Sequence, residues 1–197
     1  KVNYNKRIII VISSPSGAGK TSVCHKLIER DKRIALSISD TTRSPRDNEI
    51  DGVDYNFINE DEFKKRIKNK SYIEYANVFG NFYGSQYKNI IDHFKNENDI
   101  LFDIDWQGAK QLKNSSFKNI VSIFIIPPSK DAIYQRLKSR AITSGDNEKA
   151  IENRMNKYET EMTHRNDYDH VVINDKLETC VDDLEIIIND KRRNLID

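Results

Sequence analysis

The chain is poor in the residues that build stapled or metal-held scaffolds, with two cysteines, Cys24 and Cys180, in 197 residues. Far apart and without ligand-spaced neighbours, they argue against a disulfide framework or a zinc site and fit a reducing compartment. Cys24 reads as a small buried thiol on the first helix. Neither charge sign dominates, since 32 lysines and arginines face 31 aspartates and glutamates. That balance argues against a nucleic-acid binder run by a large positive field, while allowing a local anion site. No apolar run approaches the roughly 20 residues of a membrane span. The apolar stretch from Arg7 to Ile12 has no signal-peptide cleavage pattern after it. The sequence opens on Lys1 rather than Met, so a segment removed upstream is compatible with it. With no repeat and no linker composition, one domain is expected over residues 1–197, with neither nucleic acid nor membrane as partner.

What is present is concentrated between Arg7 and Ser22. The β-branched run Ile8–Ile12 reads as a buried strand, and Ser14-Pro-Ser-Gly-Ala-Gly-Lys-Thr21 follows it as a phosphate-binding loop. Small residues let successive N–H groups curl around an anion, and the next helix adds its positive N-terminal end. Lys20 is placed to reach β- and γ-phosphates and the Thr21 hydroxyl to ligate Mg²⁺. The strict motif has Gly where this chain has Ser14. Pro15 pushes that residue towards extended geometry, so a Cβ is tolerated there. Pro15 has no N–H to give, so the cradle falls to the amides of Gly17, Ala18, Gly19, Lys20 and Thr21. Val23 and Leu27 mark the inner stripe of the following helix.

Ile34–Ile38 reads as a second buried strand, and the loop Ser39–Arg46 carries Arg43 and Arg46 among hydroxyls. Taken alone, that loop is a solvated connection; outside a strand's carboxyl end it makes an anion site. Tyr55–Ile58 alternates like a half-buried strand, and Asn59–Glu62 resembles a capping box with Ile58 and Phe63 as a staple. Glu74 lies in an apolar, aromatic segment and needs a partner, because an unpaired buried carboxylate is costly. Asn81–Ser85 reads as a turn presenting Tyr83 and Ser85. Ile100–Asp105 is another buried strand, whose terminal Asp103 fits either a helix cap or a Mg²⁺–water site. Ile120–Ile126 is the next, stopped by Pro127 and Pro128, with Ser129 capping a helix that carries Arg136 and Arg140. The helical pattern breaks over Ala141–Asn147 and resumes with the stripe Ile151, Met155, Tyr158 and Met162. Val171–Asn174 is the last strand, and Asp175 with Glu178 reads as the cap of a terminal helix. Strands alternating with helices point to an α/β fold with a parallel sheet covered on both faces and two insertions.

Five segments, in order and spacing, resemble the guanylate kinase family, of the bacterial branch. They are Ser13–Thr21, Asp40-Thr-Thr-Arg-Ser-Pro-Arg46, Gly52-x-Asp-Tyr55, Phe79-Gly-Asn-Phe-Tyr-Gly-Ser85 and Asp103-Ile-Asp-Trp-Gln-Gly108. The likeness continues through Arg136-Leu-x-x-Arg140 and Val171-Val-Ile-Asn-Asp175. It implies a three-layer α/β/α phosphate-loop kinase that phosphorylates GMP, and also dGMP, with ATP and Mg²⁺. The core would be 1–38, 99–135 and 159–197, the GMP-binding region 39–98 and the lid 136–158. By the same resemblance, Arg43, Arg46, Tyr55 and Tyr83 hold the GMP phosphate, while Ser39, Glu74, Ser85 and Asp105 surround guanine. Residues Ser14, Pro15, Ser16, Gly17, Ala18, Gly19, Lys20, Thr21 and Ser22 take the donor's phosphates. Asp103 borders the substrate and serves the Mg²⁺ shell with Thr21. Lys20, Arg43, Arg136, Arg140 and Arg154 act on the transferring phosphoryl group, and Asn174 lies on the adenine side. A cytoplasmic monomer or weak homo-oligomer is expected. Rival readings are a non-catalytic scaffold of the same fold, a kinase of a related monophosphate, and a GTPase. The last would need an Asn-Lys-x-Asp motif, which the sequence replaces with Asn156-Lys-Tyr-Glu159.

Overall fold

The computed structural model describes residues 4–196; positions 1–3 and 197, which the expected domain spans, lie outside the described residues. The core is a five-stranded parallel sheet in the order β2-β7-β1-β8-β9, made of β1 (Ile9–Ser13), β2 (Ile34–Leu36), β7 (Asp99–Asp103), β8 (Ile120–Ile126) and β9 (His170–Ile173). Strand β1 lies between β7 and β8 and is buried along its whole length, which is why it reads as an unbroken apolar run. Its alternate residues serve opposite faces. Ile10 and Ile12 pack with Val23, Cys24 and Leu27 of α1 (Lys20–Arg30) and with Cys180, Val181, Leu184 and Ile188 of α7 (Leu177–Arg193). Ile9 and Val11 pack with Ile90 and Phe94 of α3 (Tyr87–Lys95) and with Ala109 and Leu112 of α4 (Trp106–Lys113). Both cysteines are therefore buried free thiols in one apolar layer.

A second, four-stranded sheet is inserted between β2 and β7 in the order β4-β3-β6-β5. It consists of β3 (Asp40–Thr41), β4 (Asn56–Phe57), β5 (Tyr72–Val78) and β6 (Asn81–Gln86), with α2 (Glu60–Lys68) against it. Asn59 caps α2 through Glu62 N–H at 2.8 Å, but Glu62 turns to Arg66 at 2.9 Å, so only half of the capping box forms. Phe63 stacks between Tyr72 and Phe82, with ring centroids 4.6 and 5.1 Å away. Beyond β8, α5 (Lys130–Ser144) and α6 (Glu148–Met162) form a helical pair around Ile133, Leu137, Ile151 and Tyr158.

Several expectations are corrected. Asn81–Ser85 is not a turn but strand β6; the reversal is the two-residue hairpin Phe79–Gly80, both at positive φ (51° and 82°). The helix after Ser129 does not stop near Ala141. It runs to Ser144, where Gly145, at φ 73°, ends it. Asp175 does not cap α7: the cap position is Lys176, which makes no side-chain cap bond, and Glu178 is drawn to Arg30 of α1. Strands β2 and β4 are shorter than the apolar patterns suggest, ending at Leu36 and Phe57.

Candidate active site

Each connection that carries candidate chemistry leaves the carboxyl edge of the parallel sheet, the edge where open α/β sheets bind ligands. The loop after β1 runs from Ser14 to Gly19 and enters α1 at Lys20. Gly17 and Gly19 both stand at φ 82°. Ser14 is not among the described residues at positive φ, as the following proline demands. At Gly19 a Cβ would also meet the Asn174 side-chain nitrogen at 2.7 Å. Asn174, just past β9, donates from that nitrogen to the Ala18 carbonyl at 2.8 Å and so fastens the loop to the sheet. Arg136 reaches the same place from α5, towards the carbonyls of Gly17 (3.4 Å) and Asn174 (3.3 Å).

Paired residues Ile12 and Asp103 bring the ends of β1 and β7 level. Lys20 consequently meets Asp103 at 2.7 Å. Burial works to lower the Lys20 pKa, but the Asp103 carboxylate outweighs it and holds the ammonium well above its ordinary range. Thr21 and Ser22 are exposed in the first turn of α1. A cleft of about 530 Å³ opens over the loop, bounded also by Arg46, Asp105, Arg140, Lys157 and Glu161. Arg140 is held below the usual arginine range by partial burial and by Arg154 and Arg46, so three guanidiniums share one field. Asp146 pairs with Arg154 at 3.1 Å. Sequence reading did not place Lys157 or Glu161 in the site. Burial raises the Glu161 pKa, and the Ser16 N–H lies beside that carboxylate.

The inserted sheet carries two further clusters. In the first, Arg43 Nε donates to the Tyr83 hydroxyl at 3.2 Å, and the guanidinium lies 5.3 Å from the Tyr55 ring centroid. Tyr55 and Tyr83 meet edge to face at 5.9 Å. Glu49, which the sequence reading did not single out, takes both Nη atoms of Arg43 at 2.7 and 2.9 Å. In the second, Glu74 accepts the Ser85 hydroxyl at 2.5 Å, and Ser85 lies 3.3 Å from Ser39. Glu74 is 3% exposed. Burial, with a smaller push from Asp105, raises its pKa to about 7 against the Ser85 hydrogen bond. Asp105 caps α4 through Gly108 N–H at 3.1 Å. Gly108 packs its Cα face on Glu74, and a Cβ there would overlap the carboxylate.

Asp40 is a further buried acid that sequence reading left without a role. Its carboxylate takes Arg66 (2.7 Å), Tyr72 (2.8 Å) and Asn56 (3.0 Å), tying α2 and three strands of the inserted sheet together. The Asn156–Glu159 segment lies within α6 with Tyr158 buried, a placement unlike a base-reading loop. Among the described residues no helix is long and apolar enough to cross a membrane.

Comparison with known proteins agrees in extent. A family model described as guanylate kinase matches residues 6–191. A guanylate kinase of Rickettsia bellii is 44% identical over 189 residues, 96% of this chain and 97% of that protein. One from Rickettsia prowazekii is 42% identical, covering 96% of this chain and 95% of its own. The crystal structure of a guanylate kinase from Anaplasma phagocytophilum superposes with a TM-score of 0.76 at 35% identity, covering 94% of this chain and 86% of that one.

Proposed function

The chain belongs to the guanylate kinase family, which phosphorylates GMP to GDP with ATP, and from that premise we propose how its own residues divide the work. The observation that carries the assignment is the buried Glu74–Ser85–Ser39 chain of the inserted sheet. Guanine offers two adjacent donors on its pairing edge, N1–H and the exocyclic amine, which one carboxylate accepts together. Adenine offers an acceptor at N1, which would oppose Glu74. A buried polar site left mispaired discriminates by about 10⁴–10⁵.

In this reading the inserted sheet and its loops, within 39–98, form the GMP-binding region, and 136–158 forms the lid. Arg43, Tyr55 and Tyr83, with Arg46, hold the acceptor phosphate, and their convergence supports that role. Lys20 and the amides of Gly17 to Thr21 hold the donor's phosphates. Arg136, Arg140 and Arg154 neutralise the charge that develops between donor and acceptor. Such transfer needs alignment and fixed positive charge rather than covalent help, and closure excludes water that would otherwise take the phosphoryl group.

For Mg²⁺, the donor set fits an ion carried in by the nucleotide. Thr21 and Asp103 are both oxygen donors near Lys20, while no group of three or more His, Cys, Asp or Glu among the described residues forms a cage. When bound, the ion supplies charge neutralisation on the donor's phosphates. The buried free cysteines support a reducing, cytoplasmic setting. Acceptance of dGMP, a monomeric or weakly oligomeric state, and the absence of nucleic-acid or membrane partners belong to the same proposal.

The test is ADP release measured with GMP, AMP, UMP and dTMP as acceptors. GMP should be preferred by orders of magnitude, and equal rates would remove the substrate assignment. Lys20→Ala should lower turnover about 10²-fold or more, as losing a preorganised charge does. Unchanged turnover in that variant would take Lys20 out of the reaction.

A further inference from the structure

The five N–H donors of Arg43 are nearly all committed before any substrate arrives. Nε donates to Tyr83 Oη, Nη1 to the Ser44 carbonyl at 2.9 Å and to Glu49 Oε1, and Nη2 to Glu49 Oε2. One Nη2 hydrogen is left. Glu49 is fixed from its own side as well. Its Oε1 accepts the Arg46 N–H at 2.8 Å, and its N–H donates to the Arg46 carbonyl at 3.0 Å. The Glu49 and Arg43 side chains are only 14% and 16% exposed. This is a two-toothed, charge-assisted pair, the geometry that fixes the plane of a guanidinium as well as its place.

We propose that Glu49 is a positioning residue for the acceptor phosphate: its carboxylate sets the plane of the Arg43 guanidinium and pins the turn that carries Arg46. The inference rests on the reading that Arg43 binds the GMP phosphate. The pair leaves a defined edge, with the free Nη2 hydrogen on one side and the Tyr83 hydroxyl on the other. Because Tyr83 Oη accepts from Arg43, its own hydrogen is free to donate to a phosphate oxygen. Arg43 thus offers one N–H and a full charge in a fixed place. Arg43 holds the Glu49 carboxyl down at about 2, so the pair is ionised throughout the working pH range.

The opposite role, a stand-in anion that the phosphate must expel, predicts the opposite sign. Calorimetric titration of Glu49→Gln with GMP, guanosine and ATP separates them. Positioning predicts GMP affinity about tenfold weaker, with guanosine and ATP unchanged, because only the phosphate contact suffers and the other two ligands report intact folding. Tighter GMP binding identifies a stand-in, unchanged GMP binding removes Glu49 from the site, and equal weakening of guanosine makes it merely structural; each overturns the proposal. The same substitution placed in Arg43→Ala should add less than about twofold, since coupled residues lose their effects together. A full tenfold loss there would show Glu49 acting without Arg43. If Arg43→Ala alone leaves GMP affinity intact, the reading of the phosphate site itself fails, a result distinct from a silent Glu49→Gln.

Discussion

At the scale of single residues, Glu74 sets two opposed demands on pH. Its carboxyl titrates near 7 in the folded chain, above the ordinary value of 4.5, because burial disfavours the charge. The folded state therefore binds a proton that the unfolded state has released, and stability falls as pH rises through the window from 4.5 to about 7. In the proposed role of Glu74, guanine recognition needs the ionised form, so GMP binding should strengthen across that same window. The KM for GMP should fall as pH rises to about 7 and level off above it, while Glu74→Gln should flatten the profile and relax the choice of GMP over AMP. A profile that stays steep in Glu74→Gln would assign the titration to another group. Lys20, Arg43 and Tyr83 were legible in the sequence because each sits in a short motif with its own chemistry, and Glu74 because a carboxylate in an apolar, aromatic segment needs a partner. Glu49 was not, since an acid in a polar loop looks solvated until Arg43 folds back onto it. Gly108 was visible only as part of the Asp103–Gly108 motif, and its contact with Glu74 comes from the crossing of α4 and β5.

At the scale of elements, apolar periodicity marked the core strands well, because strands buried on both faces are continuous runs. In the inserted sheet it caught β4, inside the alternating Tyr55–Ile58, but not its neighbours. Strand β3 has two residues, too short for a period to register, and β6 hid behind its glycine and polar residues. That sheet is held partly by a polar hub. Asp40 is fully buried and bonded to Arg66, Tyr72 and Asn56. Removing one partner of a buried ion pair strands the other, at a typical cost of about 3–5 kcal/mol. Arg66 is half-buried at the rim, so Asp40→Asn should cost nearer the lower figure, read from urea unfolding. A loss below about 1 kcal/mol would show that the hub is dispensable.

At the scale of the whole molecule, a stacked pair of rings joins the segment after α6 to the start of α4. Trp106, the chain's only tryptophan, lies flat on His164, which follows α6, with centroids 3.8 Å apart and planes 8° from parallel. Across the cleft, Lys157 of α6 stands 3.4 Å from the ring centroid of Phe79, at the hairpin tip of the inserted sheet. Closure of the lid over nucleotide must disturb contacts on both sides of the cleft, so Trp106 emission should change when ATP and GMP are both bound. His164→Ala should abolish most of that change while leaving the emission responsive to unfolding. A full response without His164 would place the reporter elsewhere.

The Lys20–Asp103 contact gives the proposed donor site the character of an ion exchanger. A triphosphate does not simply add charge to a bare cation; it takes Lys20 from a carboxylate, and one bound anion is traded for another. The incoming phosphates therefore meet a locally neutral pair rather than a bare cation, and salt has less net attraction to screen. ATP affinity, measured without added divalent cation, should therefore depend less on ionic strength in the native chain than in Asp103→Asn, where Lys20 has nothing to give up. Equal slopes for the two proteins would mean that Asp103 keeps its hold on Lys20 after the nucleotide has arrived.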